Sequence, residues 1–353
     1  MHPDSAHPMR ALLPAAALLL CSCASSSPGG APAARPEVKR EAKPEAATHI
    51  CHPKASFASF ASLGVPESER AVDLVSTDDF DYLLFAPARL VRLSRQQGQV
   101  KVEMVVGDSG APWKALALDP VDGSVWVATA EFFLVHVSPS LRMTKVPLQR
   151  VAGSGGFVRL VVARDAIYAA PTCADDAVWR IDRTGKILGS AFRVVRDSEQ
   201  PDTMAELCSG VRLDRDPDGN VVAWDWRQRQ LHRVDEQGVW SKVDGGAFAA
   251  LPSPRVLKGV DVGSRNEQWY FSGAAGLFLW KGKPVFLGQG TIRNLGQGSD
   301  TVLLVPAAGG TRELLESCRG ASLLRVATTA NRYAALIHAG IVLGDLATAP
   351  DLP

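Results

Sequence analysis

Leu90-Val-Arg-Leu-Ser94 is the first of four similar phrases in this chain, and their recurrence decides the fold. In each phrase an apolar residue is followed two positions later by Arg or His, then by another apolar residue and by Ser or Asp. The other three phrases are Leu134-Val-His-Val-Ser138, Val178-Trp-Arg-Ile-Asp182 and Leu231-His-Arg-Val-Asp235. Self-similarity at this spacing indicates one supersecondary unit repeated along the chain.

A second pattern lies upstream of the phrases. Residues 114–128 read Lys-Ala-Leu-Ala-Leu-Asp-Pro-Val-Asp-Gly-Ser-Val-Trp-Val-Ala, and residues 210–223 repeat this order of apolar run, Asp-Gly and apolar run. Asp-Gly between alternating apolar runs is the strongest short-range signal for a β-hairpin. Each unit therefore contains four antiparallel strands, which is the blade of a β-propeller.

The number of units sets the predicted architecture. Second strands recur seven times, around Leu84, Trp126, Tyr168, Val222, Tyr270, Leu303 and Ala335. We predict an all-β fold, a seven-bladed β-propeller of four-stranded antiparallel blades, with six blades as the second choice. The last unit has room for three strands, so the apolar segment 57–65 is expected to close the ring as an N-terminal strand and remove an exposed edge.

The Asp-Pro-x-Asp-Gly-x-Val-Trp-Val-Ala turn and the Arg-Val-Asp/Ser phrase resemble those of NHL, streptogramin-lyase-like and gluconolactonase-like propellers over residues 70–246. The resemblance implies an architecture that serves enzymes and binding domains alike. Streptogramin lyases use a His with a Glu-x-His pair, and this chain contains no Glu-x-His. Lactonase-like enzymes hold a divalent ion with oxygen ligands at the channel, where this chain offers Asp261 and Glu206 but little Asn.

The N-terminal residues 1–23 are predicted to be a signal peptide, because Met9-Arg10 precedes the apolar run 11–20. Leu20-Cys21-Ser22-Cys23 resembles the lipobox of bacterial lipoproteins, which implies a lipid anchor on Cys23, and Cys21 fits less well. An ordinary cleaved signal is the alternative. Residues 24–54 are predicted to be a disordered tether rich in Pro, Ala, Lys and Glu, and residues 55–353 the propeller. In such lipoproteins an Asp two residues after the lipidated Cys favours retention in the inner membrane. This chain has Ser25 at that position, so the resemblance implies the outer membrane.

The charge and the cysteine content limit which partners and which covalent links can be expected. The chain has 38 Lys and Arg against 37 Asp and Glu, a formal net charge of +1, so no nucleic-acid partner is expected. An even number of cysteines after the signal, in an exported chain, indicates disulfides. We predict Cys173 with Cys208 and, by default, Cys51 with Cys318.

Two sets of residues are candidate binding groups on the propeller. Trp and Arg together on a loop are typical of interface hot spots, and one predicted top-face loop of the fourth blade carries Trp224, Trp226, Arg227 and Arg229 beside the acidic insertion 192–207. A buried strand-end Trp is the competing interpretation for Trp224. The second set is expected near the central channel, where it suits an anionic ligand or acidic partner: Arg159, Arg212, Lys258 and Arg293. Solvated strand-end charges are its competing interpretation.

Three apparent metal or catalytic motifs are rejected. The carboxylates of 214–225 fit the spacing of a calcium loop, but their flanks alternate as strands and align with the hairpin at 118–123. His136 occupies the phrase position taken elsewhere by Arg, which predicts a solvated strand face. His49-Ile-Cys51-His52 lacks a second cluster to complete four ligands. We therefore expect no metal, no cofactor and no catalytic residue.

The sequence predicts a membrane-anchored envelope lipoprotein whose propeller is a scaffold that binds a protein or a ligand, and not an enzyme. The alternative is a metal-dependent lyase or lactonase-like enzyme acting on a small envelope metabolite. A third hypothesis is a propeller that binds a sugar through Trp224 and Trp226.

Overall fold

The computed structural model describes residues 54–96, 99–107, 110–148, 157–171, 177–193, 212–215, 219–225, 230–234, 239–242, 269–292, 299–307, 310–315, 317–318, 321–349 and 351. The chain divides into two compact units, Met1–Glu45 and Ala46–Pro353, and all of these residues belong to the second. In this part of the chain, no helix combines the length and the apolar character needed to cross a bilayer.

The first three sheets each contain four consecutive antiparallel strands. The first is β2 (Arg70–Ser76), β3 (Phe80–Ala86), β4 (Arg89–Gln96) and β5 (Gln99–Val106). The second is β6 (Trp113–Leu118), β7 (Val125–Thr129), β8 (Phe133–Val137) and β9 (Met143–Pro147). The third is β10 (Phe157–Val162), β11 (Ile167–Pro171), β12 (Ala177–Ile181) and β13 (Ile187–Arg193).

Two further sheets also contain four consecutive strands. The sixth sheet combines strands from the N-terminal and the C-terminal end of the unit Ala46–Pro353. The fourth is β14 (Arg212–Arg215), β15 (Val221–Asp225), β16 (Gln230–Val234) and β17 (Trp240–Lys242). The fifth is β18 (Trp269–Trp280), β19 (Lys283–Ile292), β20 (Ser299–Ala307) and β21 (Gly310–Leu315). The sixth runs in the order β1 (Ser56–Ser59), β25 (Gly340–Asp345), β24 (Arg332–Ile337), β23 (Ala321–Thr328) and β22 (Ser317–Cys318). A short 3-10 helix, Ala61–Leu63, follows β1.

Six strands form the inner ring of the propeller. Each contacts the next around a closed circuit, in the order β2, β6, β10, β14, β18 and β23, and β23 returns to β2. The hydrophobic core fills the spaces between neighbouring sheets: Phe85 of the first sheet packs with Leu336 of the last, and Leu84 packs with Val127 of the second. The strand Val125–Thr129 is buried on both faces, and four of its five residues are apolar.

The predicted number of blades is wrong. Five described sheets have four strands and the sixth has five, so the chain shows neither seven four-stranded blades nor six. Five of the predicted second strands, including those around Trp126 and Ala335, are second strands. The segments around Tyr270 and Leu303, however, belong to one sheet, as β18 and β20. Its strands are up to 12 residues long, so one sheet takes up the residues that the sequence analysis assigned to two blades.

The predicted closure by an N-terminal strand is confirmed. β1 pairs antiparallel with β25, with Phe57 opposite Val342 and Ser59 opposite Gly340. Because Gly340 has no side chain, the backbone of Ala58 can approach it closely, and a Cβ there would overlap the Ala58 carbonyl oxygen. The N-terminal strand therefore covers the edge that β25 would otherwise expose.

The repeated Asp-Gly turns connect strands as predicted. Between β6 and β7, the N–H of Asp119 donates to the carbonyl of Ser124 at 2.8 Å, and Gly123 adopts a positive φ of 72°. β14 and β15 also pair antiparallel, so strands and not helices flank the segment that fits the spacing of a calcium loop.

The prediction that the Arg or His of the repeated phrase lies on a solvated strand face is wrong for Arg92 and for His136. Arg92 is 9% exposed, its guanidinium lies 4.5 Å from the Phe80 ring centroid, and it donates to Glu103 at 2.6 Å. His136 instead packs its ring 4.7 Å from that of Trp126, its cross-strand neighbour. The phrase therefore marks a cross-strand contact position, where flat cationic or aromatic groups cover aromatic rings.

Candidate ligand-binding cavity

A cavity of about 650 Å³ lies at the centre of the ring, and the inner strands of all six sheets contribute to its wall. Much of the wall is apolar, including Leu116, Leu160, Leu213 and Phe278. Cavities of this size, mostly apolar with a few polar groups, are typical of small-molecule binding sites.

Asp73 is the most buried charged group in the described wall, at 2% exposure. Its Oδ1 lies 2.7 Å from Nε of Arg325 on β23, and its Oδ2 accepts the backbone N–H of Leu116 on β6 at 3.0 Å. One carboxylate therefore joins three neighbouring inner strands: its own, β23 and β6.

Arg325 remains charged in this environment. Its side chain is 16% exposed. Burial lowers the pKa of the Arg325 guanidinium, but the negative charges of Asp73 and Asp214 outweigh burial and raise the pKa above its usual value. The pair is consequently ionic, and it lies where the first and last sheets meet.

A backbone irregularity shared by several inner strands determines how far along each strand these residues lie. In five of the six inner strands the pairing with the next strand shifts by one residue near the start, as in a β-bulge. The first paired residues after the shift are Asp73, Ala115, Arg159, Gly273 and Arg325. Asp73 and Arg325 thus occupy equivalent positions of adjacent strands, which brings them within reach of each other.

Arg215 ends β14 and lines the cavity. Its Nη2 lies 3.4 Å from the carbonyl oxygen of Leu118, the last residue of β6, so the side chain passes β10 to reach a strand two places away in the ring. Burial is the largest influence on the pKa of Arg215 and lowers it, against the opposing charges of Asp119 and Asp214. Within the described residues, Arg215 makes no salt bridge.

Asp119 forms no salt bridge with Arg215 within the described residues, and other groups occupy the Asp119 oxygens. Arg183 donates to both, at 2.8 and 3.0 Å, while the N–H of Val121 and the indole of Trp126 donate to one each. Burial raises the pKa of Asp119, but Arg183 and these donors hold it below its usual value. This ion pair joins the second sheet to the third.

The same end of the cavity carries hydroxyl and ammonium groups. Thr329 follows β23 and lines the cavity, and its buried Oγ1 has no hydrogen-bond partner. Lys281, in the turn after β18, also lines the cavity and pairs with the largely exposed Asp351 at 3.0 Å. Arg215, Thr329 and Lys281 all lie where an inner strand turns toward its hairpin, so they mark one mouth of the channel.

The predicted channel residues are only partly described. Arg159 lies in β10, at the position equivalent to Asp73, and Arg212 lies in β14 opposite Trp224 of β15. Lys258 and Arg293 lie outside the described residues. The predicted channel was basic, whereas the described wall carries both signs of charge, with Asp73 and Asp214 as well as Arg215 and Arg325.

Most residues of the predicted top face also lie outside the described residues. Trp226, Arg227 and Arg229 are outside the described residues, as are Cys51, Cys173 and Cys208, and Cys318 is placed in β22. The binding role of the tryptophans and arginines and both disulfides stay predictions. Among described residues, no group of three or more His, Cys, Asp or Glu side chains is arranged to hold a metal ion.

Sequence reasoning missed Asp73, Arg215, Arg325 and Thr329. The available signal was a charged residue interrupting an apolar inner strand: Asp73 in Ala-Val-Asp-Leu-Val, and Arg325 in Leu-Leu-Arg-Val-Ala. Such a residue needs a buried partner of opposite charge. The sequence does not show which residue that is, because the two are 252 positions apart.

The closed ring of antiparallel sheets around a cavity defines a β-propeller. A scan against protein-family models finds no match, and a search of curated proteins finds none. Solved structures do match, and the three described next share a fold with this chain at low sequence identity.

Three of these structures illustrate the match. YCF48 bound to D1 peptide is 13% identical, with a TM-score of 0.50, over 83% of this chain and 96% of that one. A protein of unknown function from Bacteroides thetaiotaomicron is 10% identical, with a TM-score of 0.50, over 82% and 71%. A catalytically inactive virginiamycin B lyase from Staphylococcus aureus, solved with Quinupristin, is 12% identical, with a TM-score of 0.49, over 82% and 97%.

Proposed function

We propose that this chain is a membrane-anchored envelope lipoprotein whose propeller is a scaffold that binds a protein or a ligand. The observation that carries the proposal is the cavity of about 650 Å³, to which every inner strand contributes. The two ends of the ring are the places where a partner would meet residues from every sheet. Lipid on Cys23 would hold the propeller at the membrane, more in keeping with the outer than the inner membrane because Ser25 follows the anchor.

Binding is favoured over catalysis by the way in which buried charges are used. Asp73 and Asp119 hold strands together through arginines and backbone N–H groups. A carboxylate with both oxygens occupied is poorly placed to accept a proton from a substrate. YCF48, which has a similar fold, was solved with a bound peptide, so a propeller of this kind can serve as a peptide-binding protein.

Crosslinking in intact cells tests the scaffold. A photoreactive amino acid is placed at Trp226, on the predicted top face, and separately at Arg164, an exposed residue at the opposite mouth. The matched control site is Met143, exposed on the outer strand β9. We expect a discrete adduct from one mouth and none from Met143. Equal, diffuse adducts from all three sites would contradict a specific scaffold.

The anchor is tested by fractionation. Replacing Cys23 by Ser should release the protein from membranes, whereas the matched variant Cys21→Ser should stay in the outer-membrane fraction. If both variants remain membrane-bound, or if Cys21→Ser is the one released, the assignment of the anchor is wrong.

Thermal unfolding of the full chain separates a scaffold from the metal-dependent lyase or lactonase. We expect the same midpoint in EDTA as in excess Ca²⁺, Mg²⁺ or Mn²⁺. A metal bound only to the folded state at a hundredfold excess over its Kd would add about 2.7 kcal/mol and raise the midpoint clearly. Such a rise would favour the enzyme.

A further inference from the structure

We propose that the mouth of the central cavity formed by Arg215 and Thr329 binds the carboxylate of a small molecule whose apolar body fills the rest of the cavity. The proposal deepens the scaffold function and rests on it: it names the chemical class of ligand that the cavity takes.

Arg215 supplies the charge. Its guanidinium carries five N–H donors, and the structure gives it a single long contact, 3.4 Å to the carbonyl of Leu118. Asp119, the acid whose charge acts most strongly on Arg215, is paired with Arg183. Asp214 precedes Arg215 in the strand, so its side chain points to the other face of the sheet, where its charge acts on Arg325. A partly buried guanidinium in this position gains from an oxyanion in the cavity.

Thr329 supplies a second donor at the same mouth. Its Oγ1 is buried and lacks a hydrogen-bond partner, although Thr329 lines the cavity. Buried hydroxyls are normally satisfied. A ligand oxygen that reaches the Thr329 hydroxyl would therefore satisfy a group that has no partner within the described residues.

The apolar walls and acidic neighbours narrow the ligand. Beyond the mouth, the wall contains the partly exposed apolar residues Val75, Leu279 and Val326, which favour a hydrocarbon body. Asp73 and Asp214 also line the cavity and would repel a second negative charge. A singly charged carboxylate therefore fits better than a doubly charged phosphate.

Calorimetric titration of the full chain with octanoate tests this site. We expect octanoate to bind, 1-octanol (which lacks the charge) to bind at least about tenfold more weakly, and octyl phosphate to bind more weakly than octanoate. Arg215→Gln should weaken octanoate by about tenfold or more, and Thr329→Val by about threefold. The control Arg164→Gln, at an exposed arginine in the neighbouring turn, should bind as the wild type does.

Several results would overturn the proposal. They are no binding of octanoate to the wild type, equal binding of octanoate and 1-octanol, or undiminished binding to a folded Arg215→Gln protein. If Arg215→Gln does not fold, the comparison of octanoate with 1-octanol on the wild type still decides. Tighter binding of octyl phosphate would reassign the mouth to phosphate. A crosslinked partner found without octanoate binding would retain the scaffold and reject this ligand alone.

Discussion

At the residue scale, single carboxylates connect sheets that are distant in the sequence. Asp73 bonds to Arg325 and to the backbone of Leu116, and Asp119 bonds to Arg183 and Trp126. A buried ion pair contributes little net stability when formed from solvated charges, but removing one partner leaves the other charge buried and is costly. Removing either carboxylate is therefore expected to be costly.

Asp73→Asn should lower the free energy of unfolding by about 3 kcal/mol, because Arg325 keeps its charge and loses its partner. Equilibrium urea denaturation measures the change. The matched variant Asp351→Asn breaks a pair in which the acid is 85% exposed, so we expect a change of about 0.5 kcal/mol or less. Similar values for both variants would argue against a structural role for the Asp73 pair.

Asp119 gives the stability a specific pH dependence. Its pKa is below the usual value in the folded protein, so its ionised form stabilises the fold at neutral pH. That contribution is lost as the pH falls below about 4, through the lowered folded-state pKa. The difference in unfolding free energy between wild type and Arg183→Gln should therefore be greatest near neutrality and shrink in acid. A difference that does not vary from pH 7 to pH 2 would contradict this.

At the scale of the element, turns and cross-strand contacts define each sheet. Gly185 and Gly123 both adopt a positive φ, of 90° and 72°. A Cβ on Gly185 would overlap the carbonyl oxygen of Pro147 in the neighbouring sheet, whereas a Cβ on Gly123 would meet nothing within 4 Å. Gly185 therefore permits a close contact between two sheets, whereas Gly123 is needed only for the conformation of its own turn.

Gly123→Ala should cost about 1 kcal/mol, the penalty for a side chain in the left-handed region. Gly185→Ala should cost at least about twice as much, because the overlap with Pro147 adds to it. Thermal unfolding of the two variants beside the wild type measures the difference. Equal midpoints would show that the turn, and not its contact, determines the cost.

The cross-strand position of the repeated phrase predicts which substitutions it accepts. His136→Arg should alter stability by about 0.5 kcal/mol or less, because Arg92 and Arg180 occupy the same position and lie over aromatic rings. His136→Ala should cost about 1 kcal/mol through the lost contact with Trp126. Urea denaturation measures the unfolding free energy of both variants. If His136→Arg lowers it as much as His136→Ala does, Arg and His do not share a role at this position.

At the scale of the whole molecule, closure of the ring depends on one short strand. β1 covers β25, and Gly340 allows the close approach. A Cβ on Gly340 would overlap the Ala58 carbonyl and lie 2.7 Å from the Phe57 ring. Displacing β1 would expose the β25 edge and its unpaired backbone groups.

Gly340→Ala should lower the unfolding temperature, make residues 54–60 accessible to protease and promote aggregation. Gly110→Ala is the control, since Gly110 has no positive φ and a Cβ there would meet nothing within 4 Å. Limited proteolysis followed by mass spectrometry identifies the first cut. A Gly340→Ala protein that is cut elsewhere first and melts like Gly110→Ala would show that β1 is not the closing element.

The sequence by itself determined the antiparallel strands, the Asp-Gly hairpins and closure by an N-terminal strand, because alternation and turn chemistry act between residues close in the chain. Only the tertiary structure decided that residues around Tyr270 and Leu303 share one sheet, since strand length depends on packing against neighbours. It alone also brought Asp73 to Arg325 and Arg215 to Leu118, 252 and 97 positions apart. Contacts across a closed ring depend on how every sheet between them packs, and no local pattern encodes that.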